Sequence, residues 1–191
     1  MNLEEYRAWI KKQGNKEETK APEVAERVIR YVCYHYISTP FGEEPRIELY
    51  PRKFLKFDGK SYECDLVIEF SWRTFRTRKA RSMRVGIEFK EDDFRKVVEQ
   101  AIDRKPLFDL IFIATRPTTL YFSYEPYYLA LLIRHGIGWV LWDEKLIYLL
   151  IPAKKRGWMN GKEMARDIEK LAEFSPRDPK TIMDYVGGVD G

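Results

Sequence analysis

Ser61–Phe70 reads SYECDLVIEF, and Met83–Phe89 reads MRVGIEF with Lys90 next. Both segments are rich in β-branched and aromatic residues, the composition of strands. Side chains alternate across a strand. On the first segment Asp65, Val67 and Glu69 therefore share one face, and Leu66, Ile68 and Phe70 the other. On the second, Glu88 and Lys90 share a face if the strand runs on to Lys90. Ile87 and Phe89 then point the other way, into apolar packing. If the two strands are neighbours, one acid from the first meets an acid–lysine pair from the second.

The surrounding chain supplies the rest of a sheet and its helices. Asp58-Gly59 reads as a turn before the first segment. Further upstream Ile47–Phe57 reads ambiguously, with a strand expected around Ile47–Tyr50, and Ser38–Pro45, with Pro40, Gly42 and Pro45, is a loop. Two helices open the chain: a short one over Leu3–Lys12, and a second starting near Pro22. The second repeats Val24, Ala25, Val28, Ile29, Val32, Cys33 and Tyr36 at helical spacing. Downstream, Asp92 or Asp93 caps a helix whose apolar face is Phe94, Val97, Val98, Ala101 and Ile102. Asp109–Ala114 is a buried strand, Tyr124–His135 a helix ended by Gly136–Gly138, and Trp139–Trp142 with Leu146–Ile151 a hairpin around Asp143–Lys145. A last helix is expected over Gly161–Phe174, followed by a loosely held tail. This order predicts an α/β domain with a mixed sheet flanked by helices, over residues 1–175 with a core at about 21–151, and a flexible tail over 176–191. No GxxxxGK[ST] occurs, and Gly136-Ile137-Gly138 lacks the third glycine of a pyrophosphate loop.

The totals fit such a domain. The chain has 191 residues, of which 45% are hydrophobic and 34% charged, with a formal charge of +4. That charge is modest, so binding to a polyanion must rest on where the charge sits. Scarce Asn and Gln beside abundant Lys, Arg, Glu, Ile and Tyr give a thermophile-like balance. The longest apolar runs, such as Leu129–Ile133 and Leu146–Ile151, are too short to span a bilayer. Met1–Lys12 lacks the pattern of a signal peptide. Cys33 and Cys64 are the only cysteines and form no CxxC, so they read as free thiols, and an intracellular setting is the default expectation.

Two carboxylates from adjacent strands make a hard oxygen site for Mg²⁺, which keeps several waters and accepts phosphate oxygens. Bound there, the ion stabilises developing negative charge and lowers the pKa of a bound water. A neighbouring lysine can hold that water or neutralise the transition state. At these residues the chain resembles the PD-(D/E)XK nuclease superfamily. The resemblance is carried by Asp65 in ECDLVIEF, by Glu88-Phe89-Lys90 in VGIEFK, by the helix that follows directly, and by Gln100 of VVEQAIDR on that helix. It covers roughly Ala21–Thr115. It implies a restriction-endonuclease-like fold, Mg²⁺ with Mn²⁺ as a substitute, and cleavage of nucleic-acid phosphodiesters, DNA being the expected substrate. Asp65, Glu88, Lys90 and Gln100 become the catalytic set. Asp65, Glu88 and the backbone carbonyl of Phe89 become metal ligands. The chain departs from the motif at Cys64-Asp65, where Pro-Asp names the family. From about Pro117 onward it matches no branch.

Some superfamily members also place a glutamate from the first core helix near the metal. Projection at 100° per residue puts Glu26 beside the apolar stripe of the second helix and Glu23 nearly opposite it, so Glu26 is the candidate. Glu69 shares a strand face with Asp65 and is a weaker one. Gln100 projects to the polar side of its helix with Lys96. The connection Ser71–Arg84 holds Arg73, Arg76, Arg78, Lys79, Arg81 and Arg84, with Trp72 and Phe75 interleaved and no acid. Basic residues grip phosphates and aromatics stack on unpaired bases, so this loop is the expected nucleic-acid contact; a solvated basic hairpin is the plainer alternative. Arg46, Arg52, Lys53 and Lys56 extend the positive surface more weakly. His35 and His135 are isolated and read as structural. Tyr121–Tyr128 reads as core or interface, and exposed faces of Trp139 and Trp142 would serve a homodimer. The competing reading is a nucleic-acid-binding protein on a nuclease-like fold without cleavage; a third is a structural protein with no nucleic-acid partner.

Overall fold

A computed structural model describes residues 1–14, 18–37, 44–74, 77–91, 93–116 and 126–155. Helix α1 (Leu3–Gln13) is started by a capping box, in which the Asn2 side chain accepts from the Glu5 amide and the Glu5 carboxylate accepts from the Asn2 amide. Helix α2 (Ala21–Tyr36) begins with Pro22 in its first turn and buries Val24, Ala25, Val28 and Val32. Strands β1 (Arg46–Phe57), β2 (Lys60–Arg73) and β3 (Ala80–Lys90) follow as a meander. Helix α3 (Phe94–Arg104) then leads through a 3-10 turn at Lys105–Leu107 to β4 (Leu110–Thr115). Asp93 caps α3 by accepting from the Lys96 amide. Helix α4 (Pro126–His135), β5 (Gly138–Trp142) and β6 (Ile147–Ile151) complete the described order.

The strands form one mixed α/β sheet in the order β1-β2-β3-β4-β5-β6. The pairs β1–β2, β2–β3 and β5–β6 are antiparallel, whereas β3–β4 and β4–β5 are parallel. Each parallel pair needs a crossover, and α3 supplies the first. Two apolar layers result. Helices α1 and α2 cover Leu66, Ile68, Phe70, Val85, Ile87 and Phe89 on one face. Helices α3 and α4 cover Val67, Ile111, Ile113, Trp139 and Leu141 on the other. No described helix is long and apolar enough to cross a membrane.

The structure corrects three expectations. Ser71–Arg84 is not a loop: β2 runs to Arg73 and β3 starts at Ala80, so most of this stretch is paired strand. Trp139 and Trp142 present no exposed faces, being 1% and 2% exposed. Their strand lies between β4 and β6, where helices cover both faces. The strand expected around Ile47–Tyr50 extends through Phe57, closed by the expected turn, with Asp58 and Gly59 both at positive φ (49° and 74°) as a type I′ turn requires. The helix expected over Gly161–Phe174 and the tail lie outside the described residues.

Candidate active site

The site forms where two neighbouring strands part. Pairing of β2 with β3 runs from Arg73↔Ala80 to Leu66↔Ile87 and stops there. Beyond it, Glu88, Phe89 and Lys90 pair only with β4, opposite Ile113, Ala114 and Thr115. Asp65 stands on the far side of the gap. Its Oδ2 accepts a hydrogen bond from the Phe89 amide at 2.8 Å, in place of the lost ladder bond. The N–H and C=O of one strand residue point to the same edge. The Phe89 carbonyl therefore faces the same gap.

The β1–β2 ribbon also rolls at this point. Leu49 and Leu66 pack under α1 and α2, whereas Leu55 and Cys64 pack under α3. Arg52 and Asp65, which fall between, are absent from the pairing, and Arg52 sits at φ 49°. Strict alternation along β2 therefore fails at Asp65, which lies at the turnover rather than squarely on the face of Val67 and Glu69.

Glu88 points to the α3 side, since its neighbours Ile87 and Phe89 pack in the opposite layer. It is fully buried. Arg104, on the last turn of α3, donates from Nη1 to Glu88 Oε2. Glu88 Oε1 has no hydrogen-bond partner among the described residues. Burial, then the charge of Asp65, pushes Glu88 up to about 8 against the opposing pull of Arg104 and of the Asp65 amide. Burial likewise raises Asp65, while the Phe89 amide, Arg104 and Lys90 pull the other way. Asp65 thus lies within electrostatic reach of both Glu88 and Lys90. Gln100 lies one helical turn before Arg104, so the two share a stripe of α3; Gln100 is half-buried.

Other candidates fall elsewhere. Glu26 sits on α2, across the sheet from Glu88, and its carboxylate is held by Arg7 at 3.4 Å and Arg30 at 2.6 Å. Its place in the metal set is withdrawn: the sheet separates it from Glu88, and two arginines already satisfy it. Glu23, set aside by helical projection, has a buried Oε2 without a partner among the described residues. Burial opposes ionisation of Glu69, but Lys53 at 2.9 Å and Arg84 at 3.1 Å outweigh it and hold its carboxyl below the usual range. Glu69 is therefore part of a surface ion cluster.

The basic stretch is also displaced from the site. Arg73, Arg78, Lys79 and Arg81 are exposed around the distal turn of the β2–β3 ribbon. Arg84 is spent on Glu69. Arg76, with Phe75, lies outside the described residues. Nine residue steps separate Thr74 from Asp65, about 30 Å at 3.3 Å per step. The structure does not bring these cations to the carboxylates.

Arg104 is the residue that sequence reasoning missed. Its signal was present: it stands four residues after Gln100 on an amphipathic helix that had to cross the sheet, and a buried carboxylate demands a partner.

Among the described residues no cluster of three or more His, Cys, Asp or Glu side chains is spaced to hold a metal. Mg²⁺ does not need one, because it commonly binds through one or two carboxylates and fills its remaining positions with water. Asp65, Glu88 with its orphaned Oε1, and the Phe89 carbonyl fit such an ion. No protein-family model matches the chain, and the comparison with curated proteins gave no match.

Proposed function

We propose that this protein is a Mg²⁺-dependent nuclease of the PD-(D/E)XK type, with a restriction-endonuclease-like fold, that hydrolyses phosphodiester bonds of DNA. One observation carries the reading. Asp65 accepts from the Phe89 amide where β2 and β3 part, and the adjacent Glu88 keeps a buried oxygen with no partner among the described residues. Burying such a group is expensive, and groups kept at that cost cluster at functional sites.

In this reading Asp65, Glu88 and the Phe89 carbonyl hold the ion. When bound, the ion stabilises charge developing on the phosphate and supplies a more acidic water. Lys90, two residues beyond Glu88 at the edge of the gap, orients the attacking water and neutralises charge on the phosphoryl oxygens. Gln100 positions the water or a phosphate oxygen from α3. Glu88 would hold the ion as a carboxylate, its proton having passed to solvent, and Arg104 would then be free to bond the anionic substrate.

The test is cleavage of labelled single-stranded, double-stranded and branched DNA in Mg²⁺, Mn²⁺ or EDTA. Wild type is expected to cut only with metal. Asp65→Asn, Glu88→Gln and Lys90→Met should each lose about two orders of magnitude or more in rate, as loss of a transition-state contact does, while keeping a cooperative melt. Equal rates in all four proteins would reject the assignment.

A second reading has its own observation. Arg104 already gives Glu88 a fixed counter-charge, the arrangement a non-catalytic nucleic-acid-binding protein would use in place of a metal. Binding of every substrate with no cut under any metal would favour it.

A further inference from the structure

The β1–β2 ribbon continues past the point where β3 leaves it. Lys53–Cys64 pairs only with itself, from Lys53↔Cys64 to Phe57↔Lys60, and ends in the Asp58-Gly59 turn. Asp65 stands at the root of this arm. The basic distal turn, by contrast, lies at the other end of the same ribbon. After the roll at Arg52 and Asp65, the face bearing Leu55 and Cys64 is turned to α3, the side on which Arg104 meets Glu88. Strand alternation and pairing place Phe57, Lys60 and Tyr62 on that same face, further out than α3 covers. Phe57 is 45% exposed, and Lys60 beside it is exposed at the tip.

We propose that the inner face of this arm is the binding surface for an unpaired nucleic-acid strand entering the site. The proposal rests on the nuclease reading and adds the substrate class and the surface that selects it. The chemistry is specific. An exposed aromatic ring stacks on a base whose face is free, and a duplex hides base faces except at ends, forks and gaps. A lysine opposite that ring on the same face neutralises backbone phosphate without reading sequence. Phe57 supplies the ring and Lys60, its cross-strand partner on the same face, the charge, and the arm's root delivers the strand to Asp65. Phe54 is more exposed still, at 66%, but alternation puts it on the outer face, opposite Glu63. It is an internal control: the same ring, on the same arm, facing away.

The experiment is fluorescence anisotropy of the full chain with a labelled oligothymidine and with a blunt duplex, in EDTA so that no cleavage intrudes. Wild type should bind the single strand more tightly. Phe57→Ala should weaken that binding by roughly fivefold to a hundredfold, the range for one stacked base. Lys60→Gln should lower the slope of log K against log salt by about 0.7. Phe54→Ala should bind like wild type. Unchanged binding in Phe57→Ala and Lys60→Gln would overturn the proposal. So would equal losses in Phe54→Ala and Phe57→Ala accompanied by dissociation of a wild-type dimer in sedimentation, which would make the arm a self-association surface. The two readings fail separately. Binding losses as predicted with no metal-dependent cut in wild type would sink the nuclease and leave the arm; robust cleavage with unaltered binding would do the reverse.

Discussion

At one end of the β2–β3 ribbon Asp65 and Glu88 lie in a gap between parting strands, with a single arginine bonded to Glu88. At the other end Arg73, Arg78, Lys79 and Arg81 stand in solvent around a turn. Both ends are conspicuous in sequence, and the basic one more so. Their energetics differ. An exposed cation keeps its water and costs the fold almost nothing, whereas a buried ion costs several kcal/mol unless its partners are well placed. The buried end is therefore the one whose residues have to be explained by what they do.

The comparison can be broken most directly by removing a cation from each end. Above pH 8, where Glu88 is ionised, Arg104→Ala leaves a buried carboxylate without its partner, and breaking such a pair costs about 3–5 kcal/mol. Arg81→Ala, at the exposed end, should fall within about 0.5 kcal/mol of wild type. Adding Glu88→Gln to Arg104→Ala should recover much of the loss, because the group that needed the arginine is then neutral. Urea unfolding followed by circular dichroism measures all three. Equal stability of Arg104→Ala and Arg81→Ala would mean that the buried pair does not organise this end of the sheet.

The second test uses the proton. Glu88 is pushed up to about 8 in the folded chain, first by burial and then by Asp65, against about 4.3 when unfolded. Between these values the unfolded state gives up its proton first and binds fewer protons than the folded state. Stability contributed by this group is thus full below about pH 4 and is lost as pH rises through 8. A metal bound by ionised Glu88 must expel the same proton, so its affinity runs the opposite way. Mg²⁺ or Mn²⁺ affinity, read by calorimetry or by the metal-induced rise in Tm, should increase about tenfold per pH unit from 6 towards 8 and then level. In Glu88→Gln the slope should vanish. A flat profile in wild type would remove Glu88 from the metal set.

The residues legible in advance were those governed by local rules. Alternation put Glu88 and Lys90 on one face, the Asp58-Gly59 turn needed only its own two residues, and the apolar stripes of α2 and α3 followed from helical spacing. Asp65 was found through its motif, but its orientation was not, because the roll at Arg52 depends on which layer each half of the ribbon meets. The distal ribbon was misread as a loop for a related reason. Arg73 and Arg81 are exposed, so no core imposes an alternating pattern there, and backbone pairing leaves no trace in side-chain polarity. Trp139 and Trp142 were misread because burial of a strand depends on its neighbours, and β4 and β6 come together only in the folded sheet. Glu26 fails by the same logic: a helix face can be projected from sequence, but not the side of the sheet on which the helix docks.

The smallest expected effect belongs to the exposed end. Replacing Arg73, Arg78, Lys79 and Arg81 together by Gln removes four positive charges, which at first sight should cripple a protein whose formal charge is only +4. Distance argues otherwise. The turn is about 30 Å from Asp65 along the strands, and at physiological salt an exposed charge is screened over about 8 Å. These cations cannot act on a phosphate held at Glu88 through space; they can touch only a substrate long enough to reach both ends of the ribbon. Cleavage of a short single-stranded oligonucleotide at 150 mM salt should therefore change by less than about threefold. Binding of a long duplex at low salt should fall further and with a shallower salt slope. Measuring both lengths at both salts sharpens the comparison: a loss confined to long substrates makes the distal turn an auxiliary grip, whereas a loss as large as that from Lys60→Gln on the short one would mean that the two ends serve one binding site after all.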